Sequence, residues 1–426
     1  MDRSKYMRKK IGGHTLHPET QMMSYGYDPF MSEGSVKPPV FLTSTFAFKS
    51  AEAGADFFDQ LAGRAESKGD AGLIYSRFNH PNLEIVEDRL ALLDGGEACA
   101  VHASGMAAIS AVFLTFLRPG DVIVQSSPLY GGTETLIRKL LPEFGIQAAD
   151  FHNGVDTDAV HAAVERGRAL GPVKMIYVET PANPTNSMID FALITAEADR
   201  LEAEQGLRPL LVCDNTMLGP VFQRPLQHGF DLSVYSLTKY VGGHSDLVAG
   251  GVVGRSELIR QIKTIRGAYG SQLDPHSSWM IGRSLETLVL RMRQAATSGS
   301  QVARWLADNP HAPVDVLHPE LIEDPAYQAT VKRQASGPGS TFSFVLADGR
   351  PRAFKLINSL KLFKSAVSLG GTESLVCHPA STTHSGVSED IRAEIGLSEG
   401  LIRISVGLEH PDDLIADLEQ AFKQAF

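Results

Sequence analysis

From about residue 82 onward, short apolar runs alternate with stretches of helical spacing. Ala98–His102, Asp121–Gln125, Lys174–Val178, Leu210–Cys213, Leu232–Tyr235 and Gly250–Val253 read as strands. Several are continuous apolar runs closed by turn formers, the pattern of strands buried on both faces. Gly105–Leu117 reads as a buried helix. This alternation predicts an α/β fold: a mostly parallel central sheet with helices on both faces. In such sheets ligands sit beyond the carboxyl ends of the strands, so residues directly after a strand carry the most interest.

The two ends of the chain differ from this middle. Residues 1 to about 80 show little periodicity and many turn formers, among them Gly26-Tyr27-Asp28-Pro29, Lys37-Pro38-Pro39 and Thr43-Ser44-Thr45. They read as an irregular arm, and Phe41, Phe46 and Phe48 predict that it packs on something. After about residue 288 the pattern changes again. Ser284–Ala295 reads as a long helix, Thr341–Leu346 and Leu401–Val406 as strands, and Arg352–Leu360 and Asp412–Ala425 as helices. The expected division is an N-terminal arm (1–80), a large domain (81–288) and a smaller C-terminal α/β domain (289–426), with no internal repeat.

Composition narrows the function classes. The chain has 426 residues, 43% hydrophobic and 21% charged, as in ordinary soluble proteins. Its net charge of −10 argues against nucleic acid or an anionic membrane as the main partner. No apolar run approaches the roughly 20 residues that span a bilayer. The polar start Met1-Asp2-Arg3-Ser4-Lys5 has no apolar signal region, and Cys99, Cys213 and Cys377 lie too far apart for a disulfide framework or a zinc spacing. A reducing cytoplasm is the expected location. The 14 histidines are scattered and no HExxH or Walker A pattern occurs, so no metal centre is expected.

Four motifs fall at strand ends. Ser104-Gly105-Met106 follows the Ala98–His102 run and opens a helix, where backbone N–H groups form an anion site. The same residues suit an ordinary capped helix start. Glu179-Thr180-Pro181-Ala182-Asn183-Pro184 closes a strand with a rigid polar turn, in which Asn183 is a candidate donor to a ring oxygen. Asp214-Asn215-Thr216 follows Leu210–Cys213, and an acid there could pair with a protonated pyridine nitrogen or simply cap a helix. Lys239 stands in Ser236-Leu237-Thr238-Lys239-Tyr240-Val241-Gly242-Gly243. A lone lysine is usually a surface charge, but here hydroxyls and glycines flank it just past an apolar run. A deprotonated lysine forms a Schiff base with an aldehyde, and neighbouring hydroxyls could hold a phosphate. Pyridoxal phosphate (PLP) carries both groups. An anion-binding helix start, then Asp, then Lys is the order expected of a PLP enzyme of the aspartate-aminotransferase-like fold type I.

With these motifs the chain resembles the cystathionine γ-synthase, or Cys/Met metabolism, family of PLP enzymes, from Gly26-Tyr27-Asp28-Pro29 to Arg403-Ile404-Ser405-Val406-Gly407-Leu408-Glu409. The resemblance implies roles. Tyr75 and Arg77, in Tyr75-Ser76-Arg77-Phe78-Asn79-His80-Pro81, match a pair that reaches the cofactor phosphate of the neighbouring subunit. Gly105 and Met106 match backbone phosphate donors, and Ser236 and Thr238 match hydroxyl ligands. Tyr130 matches the tyrosine that stacks on the ring and acts as acid at the γ-leaving group. Asn183, Asp214 and Lys239 match the ring-oxygen donor, the pyridine-nitrogen partner and the Schiff-base lysine, while Ser368 and Arg403 match groups that hold the substrate carboxylate. Shared sites imply a dimer at least, and the family is usually a homotetramer built from two such dimers.

Within the family the resemblance points to γ-elimination on a sulfur amino acid, as in methionine γ-lyases, giving a 2-keto acid, ammonia and a thiol. The alternative is γ-replacement by an O-acetyl- or O-succinylhomoserine sulfhydrylase, or a cystathionine γ-synthase or γ-lyase. Val367, before Ser368-Leu369-Gly370-Gly371, stands where cystathionine enzymes commonly carry Glu. Gly132 stands where methionine γ-lyases usually carry Cys, and Arg266-Gly267 replaces their Lys-Asp pair. An aminotransferase of the same fold and a non-catalytic PLP-binding protein are the more distant readings.

Overall fold

The apolar runs assemble into a seven-stranded sheet. The computed structural model describes residues 6–61, 64, 72–309, 315–387 and 389–426, so the polar start Met1–Lys5 lies outside it. The strands are β1 (Ala98–His102), β2 (Val122–Ser126), β3 (Gln147–Phe151), β4 (Val173–Glu179), β5 (Leu210–Asp214), β6 (Leu232–Ser236) and β7 (Gly250–Gly254). Their spatial order is β1-β7-β6-β5-β4-β2-β3. The pairings from β6 to β3 are parallel, and β7 runs antiparallel to both β6 and β1. The edge strand β3 was not expected: Gln147-Ala148-Ala149-Asp150-Phe151 has neither an apolar run nor a clean alternation.

Both faces of the sheet are covered. On one face Ala100, Ile123, Tyr177, Val212 and Val252 pack with the helices Gly105–Phe116 and Ser256–Tyr269. Alternation along the strands sends Ile176 and Leu211 to the other face, against Val160, Ala163 and Ile194. Val101 and Tyr235 join that face beneath Leu83, Val86 and Leu90 of the helix Pro81–Asp94. Each fully buried Leu, Ile or Val stabilises the fold by about 1.5–3 kcal/mol relative to exposure.

A second sheet holds β8 (Asp315–Leu317), β9 (Thr341–Val345), β10 (Lys364–Ser365), β11 (Leu375–Cys377) and β12 (Leu401–Ser405), in the order β8-β9-β12-β11-β10. Only the β10–β11 pair is parallel. Phe342, Phe344, Ile402 and Ile404 form its core with Leu414, Leu418 and Phe422 of the C-terminal helix Pro411–Ala425.

Beyond the strands β3, β8, β10 and β11, which the sequence did not announce, two further details depart from expectation. The segment expected as one helix, Ser284–Ala295, is broken: one helix ends at Leu285 and another runs Leu288–Ala307. The buried Arg291 guanidinium donates to the Ser284 carbonyl (3.0 Å), giving that oxygen a partner at the break. The N-terminal segment is also less irregular than expected, since Ala51–Leu61 forms a helix within it.

Candidate active site

The parallel strands β4, β5 and β6 end side by side, and their registry aligns Glu179 with Asp214 and Asp214 with Val234. Gly250 of β7 pairs with both Ser236 of β6 and His102 of β1, so the Ser104 helix start and the Ser236–Lys239 loop emerge at the same level. A cavity of about 220 Å³ opens there, lined among others by Gly105, Met106, Tyr130, Asn183, Asp214, Ser236, Thr238 and Lys239. Gly105 suits this close packing: a Cβ there would lie 3.1 Å from the Ser236 side chain, tighter than an ordinary contact.

The loop after β6 is held on several sides. Thr238 Oγ1 donates to the Ala249 carbonyl (3.1 Å) and accepts from the Ala249 N–H (3.0 Å). Arg291 donates to the carbonyls of Tyr240 (2.8 Å) and Val241 (3.2 Å), and its own burial pushes its pKa down to about 10. Lys239 Nζ donates to Ser368 Oγ at 2.9 Å. Burial, with the Arg403 charge adding to it, brings the Lys239 amine down to about 8.

Two carboxyls face the same space. Asp214 accepts from the Thr216 hydroxyl (2.6 Å) and N–H (3.1 Å), and the Thr216 hydroxyl in turn accepts from Ser236 N. Burial raises its pKa despite those bonds. Glu179 accepts from the Tyr130 N–H (2.7 Å) and the Asn183 N–H (3.0 Å), and burial followed by the Asp214 charge pushes it up to about 8. Arg403 of β12 crosses from the small sheet, donating to Asn183 Oδ1 at 2.8 Å and to the carbonyls of Val367 and Ser368 at 2.9 Å each.

This arrangement holds a lysine poised to lose its proton, a buried acid for a cationic nitrogen, backbone and hydroxyl donors for an anion, and an arginine for a carboxylate. A family model for "Cys/Met metabolism PLP-dependent enzyme" matches residues 19–423. The chain belongs to this family. An L-methionine gamma-lyase of Pseudomonas deceptionensis is 42% identical over 409 residues, covering 95% of this chain and 96% of that protein. Human cystathionine gamma-lyase is 35% identical, covering 97% of this chain and 95% of its own. The crystal structure of cystathionine gamma synthase from Xanthomonas oryzae pv. oryzae in complex with aminoacrylate and cysteine superposes with a TM-score of 0.85 at 31% identity, covering 97% of this chain and 99% of that one. As in the rest of the Cys/Met metabolism family, the cofactor is PLP and the fold is type I, as the motif order predicts. The cavity's donor set fits the group: Gly105 leaves room beside Ser236, and Asp214 supplies a buried carboxyl.

Not every residue singled out in the sequence reaches this cavity. Tyr75 and Arg77 do not line it. Tyr75 is 39% exposed, and Arg77 donates to the Gly267 carbonyl with its guanidinium 4.6 Å from the centre of the Phe78 ring. The Val367 side chain lines a separate recess with Phe354, Ile357 and Cys377, and only its carbonyl meets Arg403. Arg266 is 1% exposed and paired to Glu87 at 2.5 Å, so within its own chain it is a buried strut. A Cβ at Gly132 would meet the Tyr130 ring at 2.7 Å and Met106 Sδ at 3.0 Å, so the tyrosine ring occupies the space of any side chain there.

Sequence reasoning passed over Glu179, Thr216 and His384. The first two stood inside quoted motifs and could have been found as polar groups at a strand's carboxyl end. His384 Nδ1 lies 2.8 Å from Thr383 Oγ1, and burial followed by the Arg403 charge brings its ring down to about 4. Only the fold places it beside Arg403.

Proposed function

We propose that this protein removes the γ-substituent of a sulfur amino acid, methionine or a related thioether, releasing a thiol, ammonia and 2-ketobutyrate. The observation that carries the reading is the depressed amine of Lys239 beside Ser368 and Arg403, in a chain whose relatives at 37–42% identity are L-methionine gamma-lyases. PLP, when bound, supplies an aldehyde that captures amines and a ring that spreads carbanion charge.

The chain's own residues divide the remaining work. Gly105, Met106, Ser236 and Thr238 offer backbone and hydroxyl donors to the phosphate. With the cofactor bound, the Asp214 carboxyl would hold a proton on the ring nitrogen and Asn183 would donate to the ring oxygen. Arg403 binds the substrate carboxylate through its fork of N–H donors, with Ser368 alongside. The Lys239 amine takes the proton from Cα and then one from Cβ. The Tyr130 hydroxyl protonates the departing γ-group, a step worth about 10²–10⁴-fold. Tyr75 and Arg77 serve the phosphate of a neighbouring subunit, so the working unit is a dimer within a homotetramer in the cytoplasm. In this assignment residues 1–80 are the arm that reaches the neighbour, 81–288 the PLP-binding domain and 289–426 the small domain.

A second reading has a specific observation behind it. Gly132 stands where methionine γ-lyases usually carry Cys, a departure from the methionine pattern that keeps γ-replacement on an O-acetyl- or O-succinylhomoserine as the alternative. A product panel separates the two. Methionine, cystathionine and both homoserine esters are each incubated with and without sulfide, and 2-ketobutyrate, thiols and new thioethers are measured. Thiol and 2-ketobutyrate from methionine without sulfide support elimination. Products from the esters with sulfide alone would replace it with the sulfhydrylase reading.

A further inference from the structure

We infer that Glu179 is a positioning residue whose carboxylate clamps together the two loops that carry Tyr130 and Asn183. The inference rests on the role proposed above for Tyr130.

Glu179 is the last residue of β4, 4% exposed, and it lines the cavity. Its own N–H donates to Ser126 Oγ of β2 at 3.0 Å, which fixes the end of the strand from which the side chain leaves. The side chain then divides. Oε2 accepts from the Tyr130 N–H at 2.7 Å, and Oε1 accepts from the Asn183 N–H at 3.0 Å. These amides belong to different connections, one after β2 and one after β4, and each presents its side chain to the cavity.

Glu87, by contrast, holds two cations, Lys263 and Arg266. Among the described residues Glu179 has no such ion pair. It stands beside Asp214 in registry, so its burial is made worse by a like charge. Two bonds from backbone N–H groups compensate, one at each oxygen, and only a side chain with an acceptor at both positions supplies both. Glutamine keeps one acceptor and turns an N–H₂ toward the other amide. Losing one end of the clamp frees Tyr130, a residue 44% exposed with an open side toward the cavity. The hydroxyl that meets the leaving group is thereby misplaced.

The test uses the holoenzyme as Glu179→Gln, Tyr130→Phe and the double variant, with kcat, KM, cofactor absorbance and the circular dichroism of the cofactor band. Glu179→Gln is expected to keep the cofactor, weaken that dichroism, and lower kcat about 10- to 100-fold with KM moving far less. In the Tyr130→Phe background the same change is expected to cost less than about threefold, because the hydroxyl it positions is already gone. Equal losses in both backgrounds, or an unchanged kcat, would overturn the clamp while leaving the role of Tyr130 intact. A Tyr130→Phe enzyme with undiminished kcat would overturn both. If Glu179→Gln does not fold, Glu179→Asp takes its place. One methylene shorter, it cannot reach both amides, and wild-type kcat in that variant would overturn the proposal.

Discussion

Two clusters of buried charge lie in the same body of this protein and are treated oppositely. Around Glu87 every charge has its partner. Lys263 donates to one oxygen at 2.6 Å, Arg266 to the other at 2.5 Å, and the Val101 N–H adds a third bond at 3.0 Å. Burial alone would raise this carboxyl, yet the two cations hold it down to about 2. Around the cavity the balance is reversed. Glu179 and Asp214 are both raised and Lys239 is lowered, and among the described residues no ion pair joins them. The paired cluster bolts elements together: Arg266 also reaches the carbonyls of Val101 (2.9 Å) and Phe78 (2.9 Å). The unpaired cluster lines the cavity, where the chemistry proposed above would use it.

Breaking the unpaired cluster should cost activity. Lys239→Ala is expected to abolish turnover and the visible absorption of the bound cofactor. An unchanged spectrum would remove Lys239 from the cofactor. Tyr130→Phe should lower kcat about 10²–10⁴-fold at nearly constant thermal midpoint. Breaking the paired cluster should cost stability instead. Arg266→Met leaves Glu87 buried with one cation fewer, an expected loss of about 3–5 kcal/mol read as a fall in the thermal midpoint. Adding Glu87→Gln should recover part of that loss. A fall in turnover per loaded, folded site without a fall in midpoint would contradict the division between the clusters.

Smaller effects sharpen the comparison. Arg403→Lys replaces a fork by a point charge, so KM for the amino acid should rise about 10- to 100-fold while cofactor content stays constant. The Lys239 amine, lowered to about 8, is half deprotonated there and not near 10.5. The rate at which cofactor-free protein takes up PLP should therefore rise with pH through a midpoint near 8, followed by absorbance. Arg403→Gln removes one of the charges that lower the amine, so that midpoint should move upward.

Much of the site was legible because its parts stand directly after apolar runs. Ala98–His102, Leu210–Cys213 and Leu232–Tyr235 announce themselves by composition, and Gly105, Asp214 and Lys239 stand directly after or near their ends, though it is their order together with the family resemblance that singles them out. Asn183 was quoted for the same reason. The edge strand β3 was missed because an edge strand with half-exposed positions needs no apolar run. Glu179 was read only as the end of a strand, because nothing local says that its two oxygens will meet amides at residues 130 and 183. Arg266 was read with the specificity residues for its place in the family pattern, and only packing turned it inward to Glu87.

By itself, then, the sequence determined the α/β alternation of the large domain, the motif positions and the family, since these depend on local periodicity and on residue types at fixed places. The tertiary structure alone decided which polar groups share a dry space. Lys239 becomes a weaker base because burial strips its water and Arg403 arrives from another sheet. Glu179 becomes a clamp because two loops return to one strand end. Such effects depend on through-space distance and desolvation, and neither is written in the spacing of residues along a chain.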